Sequence, residues 1–171
     1  MYARSAMNGR TVADALVYLD ANVFIYALEG DVARRQLIQE LLSVLQRSPG
    51  LAITSELTLA EVLVRPQKDR NFDLKRRYLN LLVLSRAVEL RPVSREVLIE
   101  SARYRAIAFP DRPDPREDRR NFLPDAIHIV TAAQGRCRYF VANDTRLRLP
   151  VGMTRLSADP DGIRALTESF G

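Results

Sequence analysis

An α/β fold, a parallel sheet of about five strands covered by helices on both faces, is what this 171-residue chain predicts, and three observations predict it. Five short β-like runs can be read, at Ala15 to Leu19, Leu51 to Thr54, Ala87 to Leu90, Tyr139 to Ala142 and Met153 to Leu156. Stretches with helical spacing separate most of them. No Asn-Gly turn, the usual mark of a tight antiparallel hairpin, stands between successive runs. The pattern points to parallel strands joined by right-handed crossovers.

Each helix carries its own signals. From Asp31 to Arg47 the residues Leu37, Ile38, Leu41, Leu42 and Leu45 recur on one face, Asp31 suits the N-cap, and Ser48-Pro49-Gly50 forms a stop. A helix from Glu56 is expected to end near Pro66, because a proline ring clashes with the preceding turn. Another is expected from about Phe72 to Ser85, and a further one from the cap Ser94 as far as Phe109. Pro124 suits the first position of the next helix, which carries Asp125. Between them, Phe109 to Phe122 (FPDRPDPREDRRNF) is rich in proline and charge and reads as a long surface loop leading into the Asp125 helix.

The length fits one domain, and 47% hydrophobic with 27% charged residues suits a packed core with a charged surface. The expected division is a short N-terminal extension over residues 1–14, the folded domain over 15–158, and a C-terminal tail or short helix over 159–171. No apolar run reaches the ~18 residues of a membrane span, and the start of the chain lacks the apolar core of a secretory signal. A cytoplasmic location without membrane contact is the expectation. The single cysteine, Cys137, has no partner for an internal disulfide and reads as a buried thiol. The net charge of +5 favours polyanionic partners, and since lysine occurs only at Lys68 and Lys75, arginine dominates the positive surface.

Four acidic residues sit where expected strands give way to helices: Asp20 in VYLDANVFIY, Glu61 in TSELTLAEVLV, Asp125 in LPDAIHIVTAA and Asp144 in YFVANDTRL. Each has a local explanation. Asp20 suits a helix cap, Thr58 and Glu61 have capping-box spacing, and Asp125 and Asp144 suit helix starts through the backbone dipole. Glu61 fits least well, because Ser55 is the better cap and puts Glu61 inside its helix. Together the four imply more, since the carboxyl ends of parallel strands share one edge of the sheet. Two carboxylates ~5 Å apart repel by roughly 3 kcal/mol at an effective dielectric of 20. Several such pairs would consume much of a domain's ~5–15 kcal/mol of stability. One or two bound Mg2+ or Mn2+ ions would offset that repulsion and suit hydrolysis of a phosphodiester.

In order and spacing, YLDANVFIYALEG, TSELTLAEVLVRP, LPDAIHIVTAAQG and YFVANDTRL resemble the successive motifs of PIN-domain nucleases, above all the VapC-type toxins of bacterial toxin–antitoxin pairs. The resemblance spans about Val17 to Leu156. It implies a three-layer α/β/α sandwich with strand order 3-2-1-4-5, an acidic pocket for Mg2+ or Mn2+, and endoribonuclease activity. It also implies a small cognate antitoxin as partner and a possible homodimer. Carried over by motif, Asp20, Glu61, Asp125 and Asp144 form the metal-binding and catalytic tetrad, with Asp20 and Asp125 the firmest ligands. Asn22, Ser55 and Asn143 fall where polar residues support such a tetrad. Independently of the resemblance, the long loop reads first as solvated surface and second as a segment whose Arg116, Arg119 and Arg120 reach RNA phosphates.

Two departures from the family pattern stand out. Ala142 replaces the Thr or Ser that often lies two residues before the last Asp, and the loop ahead of Asp125 is longer than expected. His128, the only histidine, shares a helical face with Asp125, but its apolar neighbours in IHIV favour a packing role. Phe24, Ile25 and Tyr26 are expected to pack beneath a protein contact rather than to stack on bases. Competing functions are a PIN-like module that binds RNA or protein without cutting, and a haloacid-dehalogenase-like phosphatase using Asp20 as nucleophile. Against the phosphatase, Asn22 stands where such enzymes need a second Asp. A DNA-directed structure-specific nuclease would share the pocket chemistry but lacks room for clamp segments.

Overall fold

The computed structural model describes residues 17–108 and 122–168. Five parallel strands, β1 (Val17–Leu19), β2 (Ala52–Ser55), β3 (Glu89–Arg91), β4 (Tyr139–Val141) and β5 (Thr154–Leu156), stand in the order β3-β2-β1-β4-β5. The expected strand order and the three-layer architecture are therefore both present. Val17 pairs with Ala52 on one side and Tyr139 on the other, so β1 lies at the centre. All three of its residues are buried, as they must be when both faces of a sheet are covered.

Alternation along the strands divides the core. Val17, Leu19, Ala52 and Val141 face one layer, made of α1 (Ala21–Glu29), α2 (Val32–Arg47), α5 (Phe72–Leu79) and α8 (Pro160–Glu168), through Phe24, Ile38, Leu41, Leu45, Tyr78, Ile163 and Leu166. Tyr18, Ile53, Phe140 and Ala142 face the other layer, where α7 (Leu123–Gln134) contributes Ile129 and Ala132. Behind α7, α6 (Arg95–Ala108) packs through Val97 against Ile127 and Val130. Cys137 is buried in this second layer, which pushes its thiol up to about 12.

Several expected boundaries hold, and the deviations have local causes. Asp31 caps α2 by accepting from the Arg34 amide at 2.8 Å, and Ser94 accepts from the Val97 amide at 3.2 Å at the start of α6. The helix expected from Glu56 to Pro66 breaks at Leu63 into α3 (Leu57–Val62) and α4 (Val64–Lys68). Pro66 thus falls in the first turn of a new helix, where a missing N–H costs nothing. The helix expected from Phe72 to Ser85 is α-helical only to Leu79 and continues as a π-helical turn over Asn80–Leu84. Arg86, at a φ of 60°, then reverses the chain in the left-handed region. The expected N-terminal extension and the loop at residues 109–121, with Arg116, Arg119 and Arg120, lie outside the described residues. Among those residues no helix is long and apolar enough to cross a membrane.

The approach of α8 to the segment before it is unusually close. A Cβ added at Gly162 would stand 2.1 Å from the carbonyl oxygen of Ser157 and 2.8 Å from its nitrogen. Backbone cannot rotate aside as a side chain can, so the helix would have to shift. We expect Gly162→Ala to lower unfolding stability by about 1–3 kcal/mol in urea titration, in the range of overpacked core substitutions.

Candidate functional site

The carboxyl edge of the sheet gathers residues from four separate stretches. Asp20 ends β1 directly, and its backbone amide donates to the Val141 carbonyl at 3.1 Å, so β4 fixes its position. It occupies the N-cap position of α1 without making a side-chain cap bond. The carboxylate thus remains available to the pocket. Asn22 donates to Asp20 Oδ2 from Nδ2 at 3.1 Å.

Glu61 is placed by a set of hydroxyl contacts beneath α3. Thr54 Oγ1 donates to the Leu19 carbonyl at 2.7 Å and lies 2.8 Å from Thr58 Oγ1, which joins the end of β1, β2 and α3. Ser55 Oγ accepts from the Leu57 amide at 3.2 Å, so its side chain begins α3 rather than facing the pocket. Thr58 is buried inside α3, which removes the capping-box explanation for Glu61. Asp125 lies in the first turn of α7, directly after Pro124. Asp144 follows β4 into a turn, and no helix follows it before β5. The dipole explanation for Asp144 therefore fails, and so does the expectation that all four acids sit at strand-to-helix junctions. Only Asp20 does so directly.

Asp20, Glu61, Asp125 and Asp144 nonetheless line one cavity of about 220 Å³, together with Ala21, Asn22, Ile25, His128, Phe140 and Leu147. Charge crowding and burial there shift two of the carboxyls. Burial lifts the Asp20 carboxyl above its ordinary range; His128 opposes this and Glu61 adds to it. Asp125 is raised by burial and then by the charges of Asp144 and Asp20. Two of the acids have close hydrogen-bonding partners. Arg146 grips Asp144 with Nε on Oδ1 and Nη2 on Oδ2, both at 2.7 Å, while its amide donates to Oδ1 at 2.9 Å. Glu61 Oε2 meets His128 Nε2 at 2.8 Å.

With the side chains so held, no group of three or more His, Cys, Asp or Glu among the described residues stands close enough to hold an ion. The donor set still fits a hard divalent cation. It consists of carboxylate oxygens in a small polar cavity, and two of the carboxyls are raised by burial and by neighbouring carboxylates, which a cation would reverse.

His128 is buried, as its apolar neighbours suggest, yet it is more than packing. Tyr18 Oη lies 2.5 Å from its Nδ1, opposite the bond to Glu61. The only sequence signal for this was its spacing of three from Asp125. Asn143 turns away from the cavity: its Nδ2 donates to Tyr26 Oη at 2.9 Å and its Oδ1 accepts from the Ala158 amide at 3.0 Å. Tyr26 carries the Arg34 guanidinium over its ring at 4.6 Å. Ala142 is buried in the core beside α7, next to Phe140.

Comparisons with known proteins agree with this architecture. A family model described as PIN domain matches residues 17–150. Among solved structures the chain is similar to DNA-bound VapBC from Salmonella typhimurium, with 17% identity and a TM-score of 0.60, over 85% of this chain and 99% of that one. It is also similar to VapBC2 from Rickettsia felis bound to a DNA fragment from their promoter, with 16% identity and a TM-score of 0.56, over 83% and 98% of the two chains. At these identities the likeness is one of fold. No match was found among curated proteins.

Proposed function

Because the chain belongs to the PIN-domain family, we propose that it is a metal-dependent endoribonuclease and serves as the toxin of a toxin–antitoxin pair. One observation carries the proposal: four carboxylates from four separate stretches of chain line the same small cavity. Asp20 and Asp125 would be the principal ligands of Mg2+ or Mn2+, with Glu61 and Asp144 completing the charge. These carboxylates would hold the ion, which would supply a Lewis acid and lower the pKa of a water for attack on the phosphodiester. Asn22 holds the Asp20 carboxylate in its orientation by donating to Oδ2. Phe140, Ile25 and Leu147 form the apolar part of the cavity's lining.

The exposed surface supports a polyanionic substrate. From Arg65 to Arg77 the chain places six cations, both lysines among them, against two carboxylates. Phe72 stands in their midst at 76% exposure. Cations along a backbone path with an aromatic face for a base are the ordinary means of holding single-stranded RNA. The antitoxin partner, the possible homodimer and a cytoplasmic place of action are proposed with the toxin role. The likeness to VapBC structures supports the first of these.

Purified protein with Mn2+ and total RNA tests the reading. Cleavage should appear, stop on addition of EDTA, and fall by about 10²–10³-fold in Asp125→Asn, as loss of a preorganised electrostatic group does. RNA retained but uncut, with Asp125→Asn indistinguishable from wild type, would make the chain a binding module instead. Hydrolysis of small phosphomonoesters without RNA cleavage would point to the phosphatase.

A further inference from the structure

A hydrogen-bonded chain runs from the core of the sheet to one of the pocket carboxylates. Tyr18 is fully buried at the centre of β1, stacked on Phe140 with ring centroids 4.8 Å apart. Its hydroxyl accepts from the Ser55 amide at 3.0 Å and lies 2.5 Å from His128 Nδ1. His128 Nε2 in turn is 2.8 Å from Glu61 Oε2. Three elements therefore meet on two side chains: β1 through Tyr18, the end of β2 through Ser55, and α7 through His128. The last link reaches α3.

The proton on Nε2 is required by the partners. With the Ser55 amide already donating to it, the Tyr18 hydroxyl is free to donate to Nδ1 of a neutral imidazole, which leaves the proton on Nε2 facing Glu61. An imidazolium carries that proton as well. In either charge state His128 donates to Oε2, fixing that oxygen and leaving Oε1 as the Glu61 atom not bound by His128.

We infer that Tyr18 and His128 are positioning residues that aim the Glu61 carboxylate into the pocket, fixing which oxygen it offers to a divalent cation. The inference rests on the proposed ion-binding role of the pocket. Neither residue need touch the ion or the RNA. A buried tyrosine could be phenylalanine for packing alone, and a packing histidine needs no carboxylate. The two bonds end to end are what packing leaves unexplained. Such supporting bonds commonly change metal affinity by about 10–100-fold.

Two measurements on purified full-length protein test this. In the first, imidazole 15N NMR without added metal should show a protonated, hydrogen-bonded Nε2 on His128, and Glu61→Gln should shift that signal. In the second, Mn2+ binding is followed by the loss of the free-ion EPR signal. Tyr18→Phe and His128→Leu should each weaken Mn2+ by about ten-fold, while His128→Gln, whose amide can still donate to Glu61, recovers most of the affinity lost in His128→Leu. Thermal melts of all variants show whether each is folded, and Tyr18→Phe, which removes one oxygen, keeps the test open if His128→Leu unfolds. Wild-type affinity in both Tyr18→Phe and His128→Leu, alongside loss of binding in Asp20→Asn, would overturn the positioning role and leave the ion site standing. No Mn2+ uptake by the wild type would overturn the ion site itself and the positioning role with it, even with the NMR signal as expected.

Discussion

Asp20→Asn should abolish RNA cleavage, by on the order of 10³-fold, and at the same time make the metal-free protein harder to unfold. The first effect follows from the several kcal/mol of transition-state stabilisation that a liganded cation supplies, at tenfold in rate for each 1.36 kcal/mol. The second follows from the crowding of the pocket. Burial and the Glu61 charge raise the Asp20 carboxyl against the pull of His128, so its ionised form opposes folding. An amide of the same shape carries no charge, and a rise in melting temperature of roughly 2–4 °C, worth about 1 kcal/mol at this length, is expected. The pH dependence has a definite sign. A carboxyl raised in the folded state binds its proton more tightly folded than unfolded, so stability falls as pH rises from the ordinary carboxyl range through the raised folded value. Asp125 is raised as well and adds to the same slope. Asp20→Asn should flatten this slope in metal-free melts taken across acidic pH, and an unchanged slope with unchanged stability would remove the crowding argument.

Phe140→Ala should destabilise the domain by about 3–5 kcal/mol, a cost large enough to leave much of a marginally stable chain unfolded. The ring is 1% exposed, stacks on Tyr18 and forms part of the pocket wall. Its removal opens a void between β4 and α7 and frees Tyr18 from the neighbour that fixes its ring plane. Phe140→Leu retains most of the volume and should cost less than half as much. Equilibrium urea unfolding of the two variants measures the difference, and equal midpoints for both would mean that this part of the core collapses around the gap.

The fold was legible because its signals are local and repeated. Buried runs, one-face leucines in α2 and the caps Asp31 and Ser94 each report on a few neighbouring residues, and the strand order came with the family resemblance. The meeting of Asp20 and Asp144 was legible for a related reason, because a parallel sheet brings the ends of β1 and β4 to one edge, whereas Glu61 and Asp125 reach that edge from inside α3 and from the first turn of α7. What those carboxylates touch was not. The bond between His128 and Glu61 joins α7 to α3, and it depends on side-chain directions that no spacing reports. The Arg146 fork on Asp144 needs a turn in place of the helix that the pattern suggested. Asn143 sits beside Asp144 in sequence yet faces Tyr26, because adjacent residues leaving a strand point to opposite sides. Pro66, a stop signal in a continuous helix, became an ordinary first-turn residue once the helix broke at Leu63.

The pairing of β1 with β4 joins an early segment to a late one, Val17 with Tyr139 and Leu19 with Val141. A ribosome adding about 5–20 residues per second must release the chain beyond Asp144 before that residue can join Asp20 in the cavity. A product that ends before Tyr139 therefore lacks both a hydrogen-bonded neighbour of β1 and one wall of the cavity.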